Sequence, residues 1–520
     1  MDSSTRIILN TAVTYGHSIF AIIVSLFSTR WILQALGESD YGLFGVVGSL
    51  IVMITFLNGG LQVGVSRFYA YAIGEGENES IANSTDRLMR WFNTAFSIHL
   101  FLPLALLLIG WIIGEFAIEN WLTIPEKRLD VSIQVFRVSL LTAFTAIFSV
   151  PFISLFAAHQ IMIELAIFGV LRTSAVLILA WCLLCVSSDR LLVYAYAMAG
   201  INVGLLIVQI IRSAVRFPCC RIRMAYMYQP SYLKQLFGFV GWKMFGMSCV
   251  TFRAQGTPML VNMQFGPIVN AAYSVAFGLS SQATSLSQAL TGAFRPAVMK
   301  AEGKGDREGM LALAFQSCKF GSLLVILFAI PLIIEMHTVL ELWLGDPPKY
   351  TEIICQWLLA MLIVDRMTTG QMLAVNANGK IAFYEIVQGL TLVTALPLMW
   401  LFFRFDLGPF SIGLALFFTM LCYCVGRVLF AKYLLQFPIM IWLKTIALPV
   451  LALVLVSGFS GWVGSEVGLE GFRRVILTTT VCASVTLIFT WFVLLDTLDR
   501  GFVLDVINKI RKQTVSKFAE

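Results

Sequence analysis

The sequence predicts an all-α integral membrane protein of about 14 transmembrane helices, and three observations predict it. Of the 520 residues, 58% are hydrophobic and only 12% charged, with a mean hydropathy of +0.84. Soluble domains carry roughly 25% charged residues, so a chain this apolar needs lipid as its solvent. Apolar stretches of the ~20 residues needed to cross the hydrocarbon recur along the whole chain. Lysine and arginine gather in alternate connections, as the positive-inside rule requires of a multi-pass protein.

The predicted spans cover residues 8–35, 41–68, 91–118, 131–157, 163–186, 191–211 and 236–261, then 269–294, 310–334, 353–374, 384–403, 409–429, 446–463 and 475–495. Arg6 is the one cation before the first span. The apolar run that follows is too long for a signal peptide and lacks a small-residue cleavage site. With the N-terminus inside, about 20 Lys/Arg fall on the cytoplasmic side and about 7 on the other. The inside clusters are Arg212, Arg216, Arg221, Arg223 and Lys234; Arg295, Lys300, Lys304 and Arg307; and the tail Lys509, Arg511, Lys512 and Lys517. An even number of spans returns the C-terminus to the cytoplasm. In the tail, Phe502, Val503, Val506, Ile507 and Ile510 recur at helical spacing among basic residues, which reads as an amphipathic helix on the inner leaflet or as a solvated tail.

Cysteine and histidine carry little chemistry. Most of the ten cysteines lie in apolar runs as small hydrophobes, the Cys182-x-x-Cys185 pair included, and the four histidines have no ligand spacing. No metal or cofactor is expected. The connections are short and mostly lack paired acids, so the chain is not expected to be an enzyme.

An internal repeat organises the spans. Leu36-Gly37-x-x-x-Tyr41-Gly42 joins the first two, and Phe265-Gly266-x-x-x-Asn270-Ala271 joins the seventh and eighth. Gly64-x-x-Arg67 matches Gly292-x-x-Arg295, and Glu75-Gly76 matches Glu302-Gly303, all at nearly constant offset. Six spans separate equivalent points, so the copies share one topology and form two parallel six-helix lobes around a central cavity. Residues 1–230 make the N-terminal lobe, 231–440 the C-terminal lobe, and 441–520 two extra helices with the tail. The basic stretch Arg212 to Lys234 is the natural link.

Nine cations fall within spans: Arg30, Arg67, Arg137, Arg172, Lys243, Arg253, Lys319, Arg366 and Arg427. Each costs roughly 2.5–3.5 kcal/mol at a lipid-exposed helix centre. The clear intramembrane acid is Asp365, with Glu115, Glu164 and Glu385 at span ends, so pairing is not expected to neutralise the set. Arg30, Arg67, Arg137 and Arg427 sit where long side chains can snorkel to headgroups. Arg172, Arg253 and Arg366 lie nearer mid-span, with Lys243 and Lys319 intermediate. The surplus is expected to line a wet cavity and to receive an anion such as a phosphate or diphosphate. Asp365 reads either as the counter-ion of Arg366 or as a proton or sodium coupling site. Gly256 and Pro258, just after Arg253, are expected to form a hinge.

In order and spacing these features resemble the Wzx-type polysaccharide flippases, of the superfamily that also holds the MATE drug exporters and the lipid II flippases. The resemblance is carried by Leu36-Gly37-Glu38-Ser39-Asp40-Tyr41-Gly42-Leu43, Leu61-x-x-Gly64-x-x-Arg67, Arg295-Pro296 with Glu302-x-Lys304-Gly305-Asp306, Trp343-Leu344-Gly345, and Asn376-x-Asn378-Gly379-Lys380. It runs from the N-terminus to about Phe437. It implies a monomeric flippase of the bacterial inner membrane that moves an undecaprenyl-diphosphate-linked oligosaccharide by alternating access. Its partners would be the bilayer, with a polysaccharide polymerase and glycosyltransferases, and no nucleic acid. The family motifs mark helix ends, so no binding residue transfers from them. A lipid II flippase, a MATE-type drug or cation antiporter, and a membrane glycosyltransferase or O-antigen polymerase are the alternatives. The antiporter predicts acids in the first-half spans, and the enzyme predicts a large extramembrane loop.

Overall fold

The computed structural model describes residues 3–55, 58–75, 81–159, 161–378, 382–497 and 499–501; the side chains of Arg67 and Lys243 and the tail from residue 502 lie outside the described residues. All regular structure among the described residues is helical. Two compact units divide the chain, Met1–Val275 and Ala276–Glu520.

The first unit contains α1 (Ser3–Ile54), α2 (Asn58–Glu75), α3 (Ile81–Asn120), α4 (Leu129–Phe148), α5 (Val150–Ala158), α6 (Met162–Leu183), α7 (Arg190–Arg216), the single turn α8 (Met224–Met227) and the first part of α9 (Pro230–Gly303). The second unit continues α9 and adds α10 (Arg307–Ile334), α11 (Met336–Leu344), α12 (Thr351–Arg366), α13 (Thr369–Asn378), α14 (Ala382–Val393), α15 (Ala395–Arg404) and α16 (Phe410–Leu435). It ends with α17 (Ile439–Trp442), α18 (Leu448–Ser465) and α19 (Gly471–Phe489). Each of the fourteen predicted spans coincides with helix. Ten described helices are long and apolar enough to cross a membrane, or eleven if α12 and α13, bent by 47°, form one span.

The repeat is visible in the backbone. α1 and α9 each run through two predicted spans and are broken at one residue, Gly37 (φ 75°, ψ 169°) and Gly266 (φ 77°, ψ −173°). Only glycine enters that region without steric cost, because a Cβ would strike the adjoining backbone. The two sequence-matched glycines therefore take the same special conformation at equivalent points.

Within the first unit these two corners meet. Asn270 Nδ2 donates to the Gly42 carbonyl at 2.8 Å, and a Cβ on Gly42 would collide with the Pro267 carbonyl oxygen. The α3–α4 connection closes over the same end. Thr123 N donates to Asn262 Oδ1 at 2.9 Å and Thr123 Oγ1 to the Met263 carbonyl at 3.1 Å. Arg128 bridges Asp40 and Asp189, and Asp189 caps α7 by accepting from the amides of Leu191 and Leu192.

Two apolar clusters fill the first unit. One surrounds Phe92, Phe96, Phe152, Phe156 and Tyr69, the other Phe136, Leu140, Leu183, Leu191 and Tyr194. The basic link is strapped along α3 rather than left in water. Asn93 bonds the Arg221 carbonyl and the Arg223 amide, Ser97 bonds the Met227 carbonyl at 2.6 Å, and Tyr226 Oη donates to Asp86 at 2.8 Å. In the second unit, α18 and α19 pack on each other and on α10.

Candidate functional site

Helices α2, α4, α5, α6 and α7 of the first unit line a half-open cavity of about 190 Å³. Its polar lining is Asn58, Gln62, Thr145, Ser149, Arg172, Asn202 and Gln209, and no carboxylate belongs to it. Arg172 stands at the centre of α6, ten residues after Met162 and eleven before Leu183. At 1.5 Å rise per residue that is about 15 Å from either end, the depth at which snorkelling is hardest.

The polar groups here are under-used. Arg172, Gln62 and Gln209 make no hydrogen bond or ion pair to any described residue, and the buried Oδ1 of Asn58 has no partner. Thr145 and Ser149 return their hydroxyl protons to their own helix, at Thr142 and Ala146, and Asn202 donates to Met198 at 2.7 Å. A guanidinium among amides, with no acid beside it, attracts an anion that also offers hydrogen bonds.

The other predicted cations fall elsewhere. Arg366 is buried in the second unit, where its Nη2 lies 2.6 Å from Asp365 Oδ2. The other oxygen of Asp365 takes Arg427 Nη1 at 2.8 Å. Arg427 also reaches the Asp365 carbonyl at 3.3 Å and Thr368 Oγ1 at 3.2 Å, and its guanidinium stacks on Tyr423. The trio sits at the α12–α13 bend. There the Asp365 carbonyl, freed from its helix ladder, also accepts from the hydroxyls of Thr368 and Thr369. A broken helix at bilayer depth needs such substitutes for its lost backbone bonds.

Lys319 is likewise matched. Its Nζ lies 2.5 Å from Asp499 and 2.9 Å from Asp496, in the turn that follows α19. Arg137 pairs with Glu115 at 2.5 Å. Pairing thus neutralises more of the intramembrane charge than the sequence led one to expect. Arg427, Asp496 and Asp499 are participants that linear reading missed. Arg427 looked like a snorkelling residue. The two aspartates follow the last span, and only a fold-back of the chain carries them to a lysine about 180 residues earlier.

Arg253 and Arg30 are half-buried in α9 and α1. The backbone stays helical through Gly256-Thr257-Pro258, with Thr257 Oγ1 bonded to the Arg253 carbonyl at 2.8 Å; the break in α9 is at Gly266. All ten cysteines are free thiols, and no group of metal-ligating side chains occurs among the described residues.

No family model matches the chain. An uncharacterised membrane protein, EpsK of Bacillus subtilis (strain 168), is 24% identical over 357 residues, which is 66% of this chain and 66% of that relative. In fold the chain is similar to an inward-facing multidrug resistance MATE family transporter of the MOP superfamily, with TM-score 0.66, 14% identity, and coverage of 82% of this chain and 98% of that one. It is also similar to the lipid II flippase MurJ in an inward closed conformation, with TM-score 0.64, 13% identity, and coverage of 93% of this chain and 98% of that one. A MOP superfamily transporter from Pyrococcus furiosus, described as having a binding pocket of reversed polarity, gives TM-score 0.53, 14% identity, and coverage of 83% and 95%. The chain is a multi-pass membrane protein with the fold these transporters and flippases share.

Proposed function

We propose that the chain is a Wzx-type flippase that moves an undecaprenyl-diphosphate-linked oligosaccharide across the bacterial inner membrane by alternating access, with both termini cytoplasmic. The observation that carries this reading is Arg172, a permanent cation at the middle of α6 in a cavity free of carboxylates. Arg172 is exposed and unpaired along this pocket, and at a helix centre facing lipid it would cost about 2.5–3.5 kcal/mol on insertion scales, so a wet vestibule is the surrounding that suits it. An exporter of organic cations would want acids in that place. The lipid tail stays in the bilayer while the diphosphate and sugars enter the protein. An inside-negative potential favours outward passage of the anion by about 2.3 kcal/mol per charge per 100 mV. The weak likeness to EpsK leaves the cargo open, and a polymerase and glycosyltransferases are the partners such a pathway would supply.

Lipid II transport is the second reading. It is favoured by the MurJ likeness, which extends over 93% of this chain. Its cargo is also a lipid-linked diphosphate sugar, so the two readings share the cavity's chemistry and differ in the glycan.

The test is charge reversal at the cavity. Arg172→Glu should abolish surface polysaccharide while the protein still reaches the membrane, and Arg172→Lys should retain part of the export. Loss of viability with cell-wall lysis, surface glycan intact, would select the lipid II reading. Lost drug resistance with normal glycan export would refute both.

A further inference from the structure

The basic strap between α7 and α9 has two faces of opposite character. Its inner face is fastened to α3. Phe217 and Cys219 are buried in the cluster around Phe92 and Phe156, and Asn93, Thr94 and Ser97 take up its backbone groups. Its outer face is open. Val215 (77%), Met224 (81%) and Tyr228 (76%) are exposed for most of their area, with Ile222 among them. Single exposed apolar side chains need no explanation, but a row of them marks an interaction surface.

The helix before the strap sets the depth of that face. α7 has 27 residues, Arg190 to Arg216, and at 1.5 Å per residue measures about 40 Å. A bilayer with both headgroup layers is about 40–45 Å thick, so the strap continues at headgroup depth. Ile207, Ile211 and Val215, spaced by four, are all exposed along one face of α7, and Ile222, Met224 and Tyr228 extend that apolar series past the helix end. Cations stand among them. Glu164 accepts from Arg212 at 2.8 Å and pairs Arg216 at 3.2 Å, while Asp86 is taken by Arg90 and by the Tyr226 hydroxyl. The exposed side chain of Arg221 bonds no described residue, and the exposed Arg223 guanidinium lies 5.7 Å from the centre of the Tyr226 ring. Two guanidiniums on either side of Ile222 suit a phosphate that is itself attached to acyl chains.

We propose that the outer face of residues 215–228 is a binding surface for an anionic phospholipid of the inner leaflet. Arg221 and Arg223 hold the headgroup phosphate, and Val215, Met224 and Tyr228 lie against the adjoining acyl chains. With α3 on one side and lipid on the other, the basic link becomes a fixed footing of the first unit in the membrane. An acidic protein would meet the same arginines, but an apolar row at headgroup depth favours lipid. The orientation proposed above decides only which leaflet supplies it, and the Arg172 cavity plays no part.

The test reconstitutes the full chain in phosphatidylcholine vesicles with rising fractions of phosphatidylglycerol, using a photoactivatable form of each lipid in turn. Crosslinks from phosphatidylglycerol should saturate and map to residues 215–228, with about tenfold preference over phosphatidylcholine. Arg221→Gln should lower the affinity about fivefold and Arg221→Gln/Arg223→Gln about tenfold or more. Because the Arg221 side chain bonds no described residue, Arg221→Gln should keep its thermal midpoint, so a loss of binding is not a loss of fold. Lys304→Gln, on another basic connection, should leave binding unchanged; an equal loss there would reduce the effect to diffuse surface charge and overturn the site. Excess inorganic phosphate should not displace the lipid, and displacement would overturn the part assigned to the acyl chains. Equal labelling by the two lipids, or capture of an acidic protein that phosphatidylglycerol cannot displace, would also overturn the proposal. The two leaflets of these vesicles are alike, so the result holds whichever way the chain inserts, and failure of the flippase reading would leave it untouched.

Discussion

A single cation at bilayer depth is expensive, and the described ones are accommodated in different ways. Arg366 and Arg427 share one carboxylate, Lys319 has two, and Arg172 has none but stands in a polar cavity. The difference has measurable consequences. Asp365→Asn would leave two buried guanidiniums without their anion, and breaking a buried pair by removing one partner costs about 3–5 kcal/mol. The thermal midpoint in detergent should therefore fall clearly for Asp365→Asn and hardly at all for Arg172→Gln. Unchanged stability for Asp365→Asn, with an altered dependence of transport on proton or sodium gradients, would instead give Asp365 the coupling role. The mid-helix position of Arg172 was legible in the sequence because the limits of one apolar run are enough to find its centre. The link from Asp365 to Arg427 was not, since 62 residues and a second helix separate them. Linear spacing says nothing about which helix faces which.

Among whole elements, the broken segments α1 and α9 were the most readable, and for a backbone reason. Leu36-Gly37 and Phe265-Gly266 look alike because both corners need a residue that tolerates φ near 75° with extended ψ. The all-helical, membrane-spanning character was equally legible, because hydrocarbon thickness fixes the length of a span, although ten or eleven described helices rather than fourteen are long and apolar enough to cross. The strap of the basic link along α3 was invisible, since it depends on Asn93 and Ser97 facing that link across some 130 residues. The corners yield a prediction with an internal control. Gly37→Ala and Gly266→Ala should each destabilise by about 1–3 kcal/mol, the cost of a Cβ in that region. Gly48 lies in regular helix with nothing within 4 Å of an added Cβ, so Gly48→Ala should be neutral or stabilising by up to about 1 kcal/mol. Comparing the three thermal midpoints separates strain at the corners from the general effect of alanine. Equal behaviour of all three would remove the corners' special status.

At the scale of the molecule, the sequence left α18 and α19 outside the repeat, with no assigned attachment. In the second unit they are tied to α10 at its middle and just past its C-terminal end. Just past the end of α10, the buried Glu335 binds Arg474 at 3.1 Å and Thr478 at 2.7 Å. Within α10, Lys319 holds Asp496 and Asp499, and Gln316 adds a bond to Asp499 at 3.0 Å. Two charge-assisted anchors separated by most of a membrane span leave the helix pair little freedom to slide or rock on α10, so the pair should move with that unit as one body. The inner anchor can be tested without removing any chain. Asp496→Asn/Asp499→Asn strands a buried ammonium and should lower stability by about 3–5 kcal/mol. Lys319→Met deletes the stranded charge and fills its volume with an apolar chain, so the triple variant should recover most of the loss and exceed the aspartate pair alone. That rescue distinguishes a coupled pair from three independently useful residues, whose losses would add. If the triple variant is instead less stable than the aspartate pair, Lys319 has another partner and the anchor does not hold the C-terminal helices. If it is restored in stability but transports poorly, the anchor matters for motion as well as for packing.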